Sequence, residues 1–425
     1  MIPATADQVK SLNSVTESYH KMSVGLIEPD ALLPIKGIRL ASVAAGIKKN
    51  QNKDLVLIEL AEGSSCAAVF TKNKFCAAPV TLAKQYLAVA SPRYLLINSG
   101  NANAGTGEQG LNDAVLSCEL VAKQSACSAQ QVLPFSTGVI GENLPVDKIE
   151  NAMPELFNQL MDDNWIPAAH GIMTTDTKLK GISHQFELQG KTVSITGLSK
   201  GAGMIQPNMA TMLAYVGTDV DVDQALLQEC LQDAVSLSFN SITVDSDTST
   251  NDACVLMATG QAGNSKIVEK NEDYLQLFNA VSEVCLYLAQ AIIRDAEGAT
   301  KFVTLQVGSS MSIEDARQVA YTVAHSPLVK TALFACDPNW GRILAAVGRA
   351  GVEFDIDKIK IYLGDVCIVS NGGRDSGYTE EQGQKIMNQD EILIRIELNT
   401  GDYQASIWTS DLSYDYVKIN AEYRS

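Results

Sequence analysis

A chain of 425 residues with 46% hydrophobic and 19% charged side chains has ample material for a core, which excludes an intrinsically disordered protein. Its 32 basic residues against 49 acidic ones leave a net charge of −17. Phosphate backbones and anionic lipid would repel such a chain, so neither nucleic acid nor a membrane is expected as a partner.

Residues up to about Pro34 read as an irregular lead-in. Apolar or alternating runs at Leu55–Leu60, Ala67–Thr71 and Arg93–Ile97 predict strands, the last ending in the turn-rich Asn98–Gly110. The spacing of Leu111, Val115, Leu116, Cys118, Leu120 and Val121 predicts a helix over Leu111–Gln124. A second helix is expected over Val146–Met161, broken in two by Pro154. His184–Leu198 reads as a hairpin turning at Gly190, and it runs into the glycine-rich Leu198–Val220. Helices follow over Asp223–Phe239, Asp273–Gly298 and Ile313–Phe334, with strands at Ile359–Tyr362, Val366–Val369 and Ile392–Leu398. Elements mixed without regular alternation favour a layered α/β or α+β fold over a doubly wound parallel sheet.

Generic chemical signals are few. The nine cysteines contain no C-x-x-C pair and mostly have apolar neighbours, so buried reduced thiols are expected. His20, His170, His184 and His325 form no ligand pattern, and no metal is expected. The start, MIPATADQVK, lacks the basic and apolar regions of a secretory signal, which points to a soluble, reducing, cytoplasmic setting. Asp245–Asp252, DSDTSTND, lacks the glycine and closing glutamate of an EF-hand loop and reads as a hydrogen-bonded turn. Lys200–Val220, KGAGMIQPNMATMLAYVGTDV, is different. It sets glycines, which permit strained backbone, just before a threonine that opens an apolar run.

That stretch resembles the signature of the ornithine acetyltransferase family, bifunctional enzymes of arginine biosynthesis. Further matching stretches occur in the family's order: Ser99–Gly107, Ser136–Glu142, Ile172–Thr177 (IMTTDT), Ser238–Asp252, Arg294–Lys301 (RDAEGATK), Cys336–Gly351 and Asp411–Ser425. Two positions depart from the family: Ser246 stands where glycine is usual, which implies a residue held at positive φ, and Ser425 stands where threonine is usual.

The resemblance implies a self-cleaving, N-terminal-nucleophile-like αββα sandwich. Cleavage between Ala210 and Thr211 would give an α chain, 1–210, and a β chain, 211–425, assembled as an α2β2 heterotetramer. Thr211 would be the nucleophile, with its freed α-amine, of ordinary pKa about 7.7–8, as general base. Acetyl would pass from N2-acetyl-L-ornithine to L-glutamate through an acetyl-threonine ester, without cofactor or metal, and acetyl-CoA is left open as a second donor. The family places its oxyanion hole at Thr137 and Gly138. Its substrate contacts fall on Thr174 (with Thr175 the alternative), Lys200, Thr211, Glu297, Asn420 and Ser425. By charge, Lys200 suits the α-carboxylate and Glu297 the ornithine ammonium. The apolar residues of YVKINAEYRS are expected to anchor the C-terminus. Two alternatives stand: a related self-cleaving aminopeptidase, which Lys200, Glu297 and Asn420 disfavour, and a non-catalytic amino-acid-binding protein.

Overall fold

The computed structural model describes residues 23–206 and 212–422. Ala210, Thr211 and Ser425 lie outside the described residues. The described residues form two compact units, one within 27–292 and one of 293–422 together with 23–26.

The first unit holds two sheets. β1 (Ile38–Val43), β2 (Leu55–Leu60), β4 (Tyr94–Asn101) and β5 (Val132–Val139) lie in that order, antiparallel except for the parallel β4–β5 pair. The second sheet has the order β3 (Ser65–Phe70), β10 (Ala253–Ala258), β8 (Leu213–Thr218), β7 (Lys191–Lys200), β6 (Lys180–Leu188), with only β10–β8 parallel. A short strand, β9 (Ile242–Thr243), precedes β10.

One core joins the inner faces. Ile38, Ile58, Ile97 and Phe135 of the first sheet share it with Leu213, Tyr215, Val255 and Met257 of the second, and with Trp165 of α4 (Trp165–Ile172). The outer face of the first sheet packs Leu57 and Leu96 against α1 (Ala78–Leu87), α2 (Gly107–Gln124) and α3 (Val146–Asn158). On the second sheet, α5 (Gln224–Leu237) covers β3 and β10, and α6 (Glu272–Arg294) crosses β7. The α6 contact is close: a methyl on Gly197 would come within 2.6 Å of Val284 and 2.9 Å of Leu288. Because both faces of β10 are covered, its sequence ACVLMA is apolar throughout rather than alternating. The unit is an αββα sandwich, as the resemblance implies.

Edge strand β3 leaves backbone groups without a neighbouring strand, and α5 supplies their partners. Gln224 accepts from the Cys66 N–H and donates to the Cys66 carbonyl, and Gln228 does the same for Ala68.

In the second unit, β11 (Phe302–Ser310), β12 (Lys360–Leu363), β13 (Val366–Ser370), β14 (Gly373–Arg374), β15 (Glu391–Glu397) and β16 (Tyr403–Ser410) lie in the order β14-β13-β12-β15-β11-β16. Val303, Leu305, Ile361 and Ile394 pack against Val319 and Val323 of α7 (Ile313–Ala324), Leu333 of α8 (Pro327–Phe334) and Val347 of α9 (Trp340–Gly348). α10 (Glu380–Met387) and α11 (Tyr414–Ala421) complete the unit.

Three expectations change. Pro154 does not divide α3, because Ile149, Ala152, Met153 and Leu156 bury one continuous face and the helix ends four residues later. The helix expected over Ile313–Phe334 is two, α7 and α8, since Ser326 caps the Val329 N–H and Pro327 cannot continue the preceding turn. The turn-rich Asn98–Gly110 begins as strand: β4 runs on to Asn101.

Candidate active site

The parallel pairing of β4 with β5 sets Gly100 opposite Gly138. Gly138 has φ +135°, and a Cβ there would lie 2.3 Å from the Gly100 carbonyl carbon and 2.5 Å from the Asn101 nitrogen. Only glycine fits so close an approach. Polar side chains hold this strand end from inside. Ser136 Oγ donates to Asn98 Oδ1 (2.6 Å), Asn98 Nδ2 to the Asn101 carbonyl (2.8 Å), and Asn251 Nδ2 to the carbonyls of Ala102 (2.6 Å) and Ser136 (2.9 Å). A buried, asparagine-rich strand end of this kind reads as a turn by composition alone.

Beside Gly138, the buried Thr137 accepts a hydrogen bond from Lys200 Nζ, 3.0 Å away at the end of β7. An ammonium has no lone pair, so the Thr137 hydroxyl proton is directed to some other acceptor. The hydroxyl, the glycine backbone and the cation together can stabilise an oxyanion.

Asp176 organises the segments around that group. One carboxylate oxygen accepts from Lys180 Nζ (2.6 Å) and from the Gly201 N–H (2.7 Å), and the other from the Thr174 N–H (2.9 Å). The Asp176–Lys180 pair is fully buried. Burial works against the carboxylate charge, but Lys180, Lys200 and the Gly201 N–H outweigh it and hold Asp176 below the usual carboxylate range. Asp176 went unnoticed as a site residue in the sequence, although it stands two places after Thr174 in IMTTDT. Lys48 was missed too. Its stem packs over Gly100, and burial, helped by Lys200 and opposed by Asp54 and Asp176, pulls its ammonium down to about 8.

The glycine-rich loop leaves β7 at Gly201, whose φ is +149°. Asp245 catches it further on, accepting from the N–H groups of Met204 (2.7 Å) and Ile205 (2.8 Å). Next to Asp245, Ser246 stands at φ 66°, the strained conformation its departure from glycine implies. The DSDTSTND turn thus braces the loop that leads to Ala210–Thr211. No cluster of three or more metal-ligating side chains occurs among the described residues.

The family model for the ArgJ family matches residues 39–425. The chain belongs to the ArgJ family. It is 57% identical over 406 residues to the arginine biosynthesis bifunctional protein ArgJ of Pseudomonas syringae pathovar tomato, covering 95% of this chain and all of that one. To its counterpart in Methylococcus capsulatus it is 56% identical over 396 residues, covering 93% of this chain and 97% of the relative. A crystal structure of ArgJ from Bacillus halodurans is 37% identical, covers 49% of this chain and 98% of that one, and has a TM-score of 0.47.

Glu297 and Asn420, which the resemblance assigns to the substrate, lie in the second unit. Asn420 Nδ2 donates to Glu297 Oε2 (2.8 Å). Further hydrogen bonds bring their segments together: Asp411 accepts from the Thr300 and Lys301 N–H groups, and Ser413 Oγ donates to the Gly298 carbonyl (2.6 Å). Gly298 must be glycine, because a Cβ there would lie 2.6 Å from both Ser413 Oγ and the Tyr416 nitrogen. The C-terminal helix is therefore docked. Of the apolar residues in YVKINAEYRS, Tyr416 and Ile419 are half-buried, Val417 is 62% exposed and Tyr423 lies outside the described residues, so hydrogen bonds with the preceding loop add to partial apolar burial in holding the helix. The described cysteines are free thiols, five buried and four half-buried, in line with expectation.

Proposed function

We propose that this ArgJ family member is the glutamate N-acetyltransferase of arginine biosynthesis, acting through Thr211 after self-cleavage at Ala210–Thr211. The observation that carries the reading is the group Thr137, Gly138 and Lys200, held at a buried strand end in a chain that matches the family model over residues 39–425.

In this reading Thr211 Oγ attacks the acetyl carbonyl of N2-acetyl-L-ornithine while the α-amine of Thr211 takes its proton. The Thr137 hydroxyl and the Gly138 N–H receive the oxyanion; Lys200, donating to Thr137 Oγ1, makes that hydroxyl a stronger donor. The same proton returns to the departing ornithine amine. L-Glutamate then attacks the acetyl-threonine ester through a second oxyanion in the same place. Thr174 and Lys200 contact the substrate, with Lys200 offering its charge to the α-carboxylate. Glu297 meets the side-chain ammonium of ornithine, and Asn420 and Ser425 complete the substrate contacts. One amide is exchanged for another, so the transfer needs neither metal nor cofactor. The curated relatives carry the name bifunctional, which supports acetyl-CoA as a second donor. The cleaved chains, 1–210 and 211–425, assemble as an α2β2 heterotetramer in the cytoplasm.

Intact-mass measurement should find chains 1–210 and 211–425, and Thr211→Ala should give one uncut, inactive chain. Parallel-line kinetics with acetyl-ornithine and glutamate should report the acetyl-enzyme. Ornithine release that proceeds equally well without glutamate would make the protein a hydrolase of the aminopeptidase kind. An uncut, fully active wild type would refute the mechanism.

A further inference from the structure

Asp54 is a fully buried carboxylate that the mechanism above does not use. It fastens the loop between β1 and β2. Its Oδ1 accepts from the Ala45 N–H (2.6 Å) and its Oδ2 from the Lys48 N–H (2.8 Å). Its backbone belongs to the sheet: the Asp54 N–H donates to the Val43 carbonyl (3.0 Å), and the Ser99 N–H donates to the Asp54 carbonyl (2.9 Å). One residue is thus bonded both to the loop and to the strand residue just before Gly100.

Gly100 is in contact with that loop as well as with Gly138. A Cβ on Gly138 would meet the Gly100 backbone, whereas a Cβ on Gly100, whose φ is +100°, would meet Lys48 Cγ at 3.0 Å, the Lys48 nitrogen at 3.3 Å and Ile47 Cγ2 at 3.4 Å. Gly138 therefore touches Gly100, and Gly100 touches Lys48. The far end of Lys48 is tied too, its Nζ donating to the Lys53 carbonyl (2.8 Å), next to Asp54.

We propose that Lys48 is a positioning residue of the oxyanion hole: its stem, fastened through Asp54, holds Gly100 and through it Gly138 in place. The proposal rests on the placing of the hole at Thr137 and Gly138 given above. Such a hole works only if its donors are fixed before the charge develops. Two facing glycines are the least constrained backbone a chain can offer, and β5 ends at Val139, one residue past Gly138. The restraint has to come from a neighbour, and Lys48 supplies it. The hydrocarbon stem makes the contact with Gly100; the ammonium ties the stem down.

The test measures acetyl transfer from acetyl-ornithine to glutamate by the full-length protein, normalised to cleaved chain by intact mass. Lys48→Ala opens a gap over Gly100 and should lower kcat about tenfold or more with KM within about twofold, because the hole acts mainly on the transition state. Lys48→Met restores the stem without the charge and should lose no more than about threefold. Lys48→Ala at the wild-type kcat overturns the proposal. So does Lys48→Met as slow as Lys48→Ala, which would make the charge the working part. Asp54→Asn sets an amide donor against a backbone N–H and should show the same loss of kcat at unchanged KM; should it fail to melt cooperatively, the two Lys48 variants decide. Thr137→Ala, measured alongside, separates the two readings. A slow Thr137→Ala with Lys48→Ala at the wild-type rate refutes only the role of Lys48, whereas Thr137→Ala at the wild-type rate removes the hole on which that role rests.

Discussion

Gly138→Ala adds one methyl at the tightest point of the proposed oxyanion hole. On the existing backbone its Cβ would sit 2.3 Å from the Gly100 carbonyl carbon, 2.5 Å from the Asn101 nitrogen and 2.7 Å from Gly100 Cα. All three are backbone atoms, so no rotamer change relieves them; β4 and β5 must part by roughly 1 Å to regain contact near 3.5 Å. Overpacking of this kind costs about 1–3 kcal/mol, and a side chain at φ +135° adds a further ~1–3 kcal/mol. Gly141→Ala separates the two contributions, because Gly141 also has positive φ (+86°) but nothing lies within 4 Å of its added Cβ. At ~2–4 °C per kcal/mol, Gly138→Ala should melt roughly 3–10 °C below Gly141→Ala in a calorimetric scan. A displacement of about 1 Å at a reacting centre can cost ~100-fold in rate, so kcat should fall by that order in Gly138→Ala alone. Equal melting temperatures and equal kcat for the two variants would refute the packing argument and with it the placing of the hole at Gly138.

Thr137→Ala should lower kcat by about a hundredfold or more with little change in KM, because the hydroxyl acts mainly on the oxyanion; a large KM effect with kcat intact would make Thr137 a ground-state contact. Asp176→Asn leaves Lys180 buried without its counter-charge and should cost ~3–5 kcal/mol in urea unfolding at neutral pH. The folded pKa of Asp176 is depressed, so its contribution is present above the unfolded value of about 3.9 and is lost as pH falls towards the folded one. The variant should therefore lose less stability than wild type on acidification below about pH 4. Ser246→Gly relieves a side chain at φ 66° and should stabilise by up to about 1 kcal/mol, read as a small rise in melting temperature; a fall would show that the serine hydroxyl matters more than the strain.

Much of this molecule can be read from its sequence because local signals and the tertiary outcome agree. Leu55–Leu60 and the Gly190 hairpin are strand and turn by pattern, and they are strand and turn in the fold. Disagreement arises where side chains replace backbone as hydrogen-bond partners. Asn98–Asn101 has turn composition, yet Ser136, Asn98 and Asn251 satisfy that segment from within and let it remain strand. Pro154 is a helix breaker in isolation, but a continuous buried face outweighs one missing N–H near a helix end. Thr137 and Lys200, singled out through separate motifs, do meet in the fold, 63 positions apart in the chain. Asp176 and Lys48 also meet groups far along the chain, Gly201 and Gly100, and no local pattern announces those contacts.

Two of the glutamines on α5 carry a geometric consequence of their own. Gln224 and Gln228 are four residues apart on a helix, a rise of about 6 Å, and Cys66 and Ala68 are two residues apart on a strand, about 6.6 Å. The repeats nearly coincide, so each primary amide can present the same donor and acceptor as a peptide group of a neighbouring strand. The helix is thereby indexed to the strand like a rack to its gear. Sliding it by a single residue would break both pairs at once and leave four backbone groups of β3 unanswered. The sheet edge thus fixes the axial position of α5, a setting that apolar packing, tolerant of small slips, does not impose by itself.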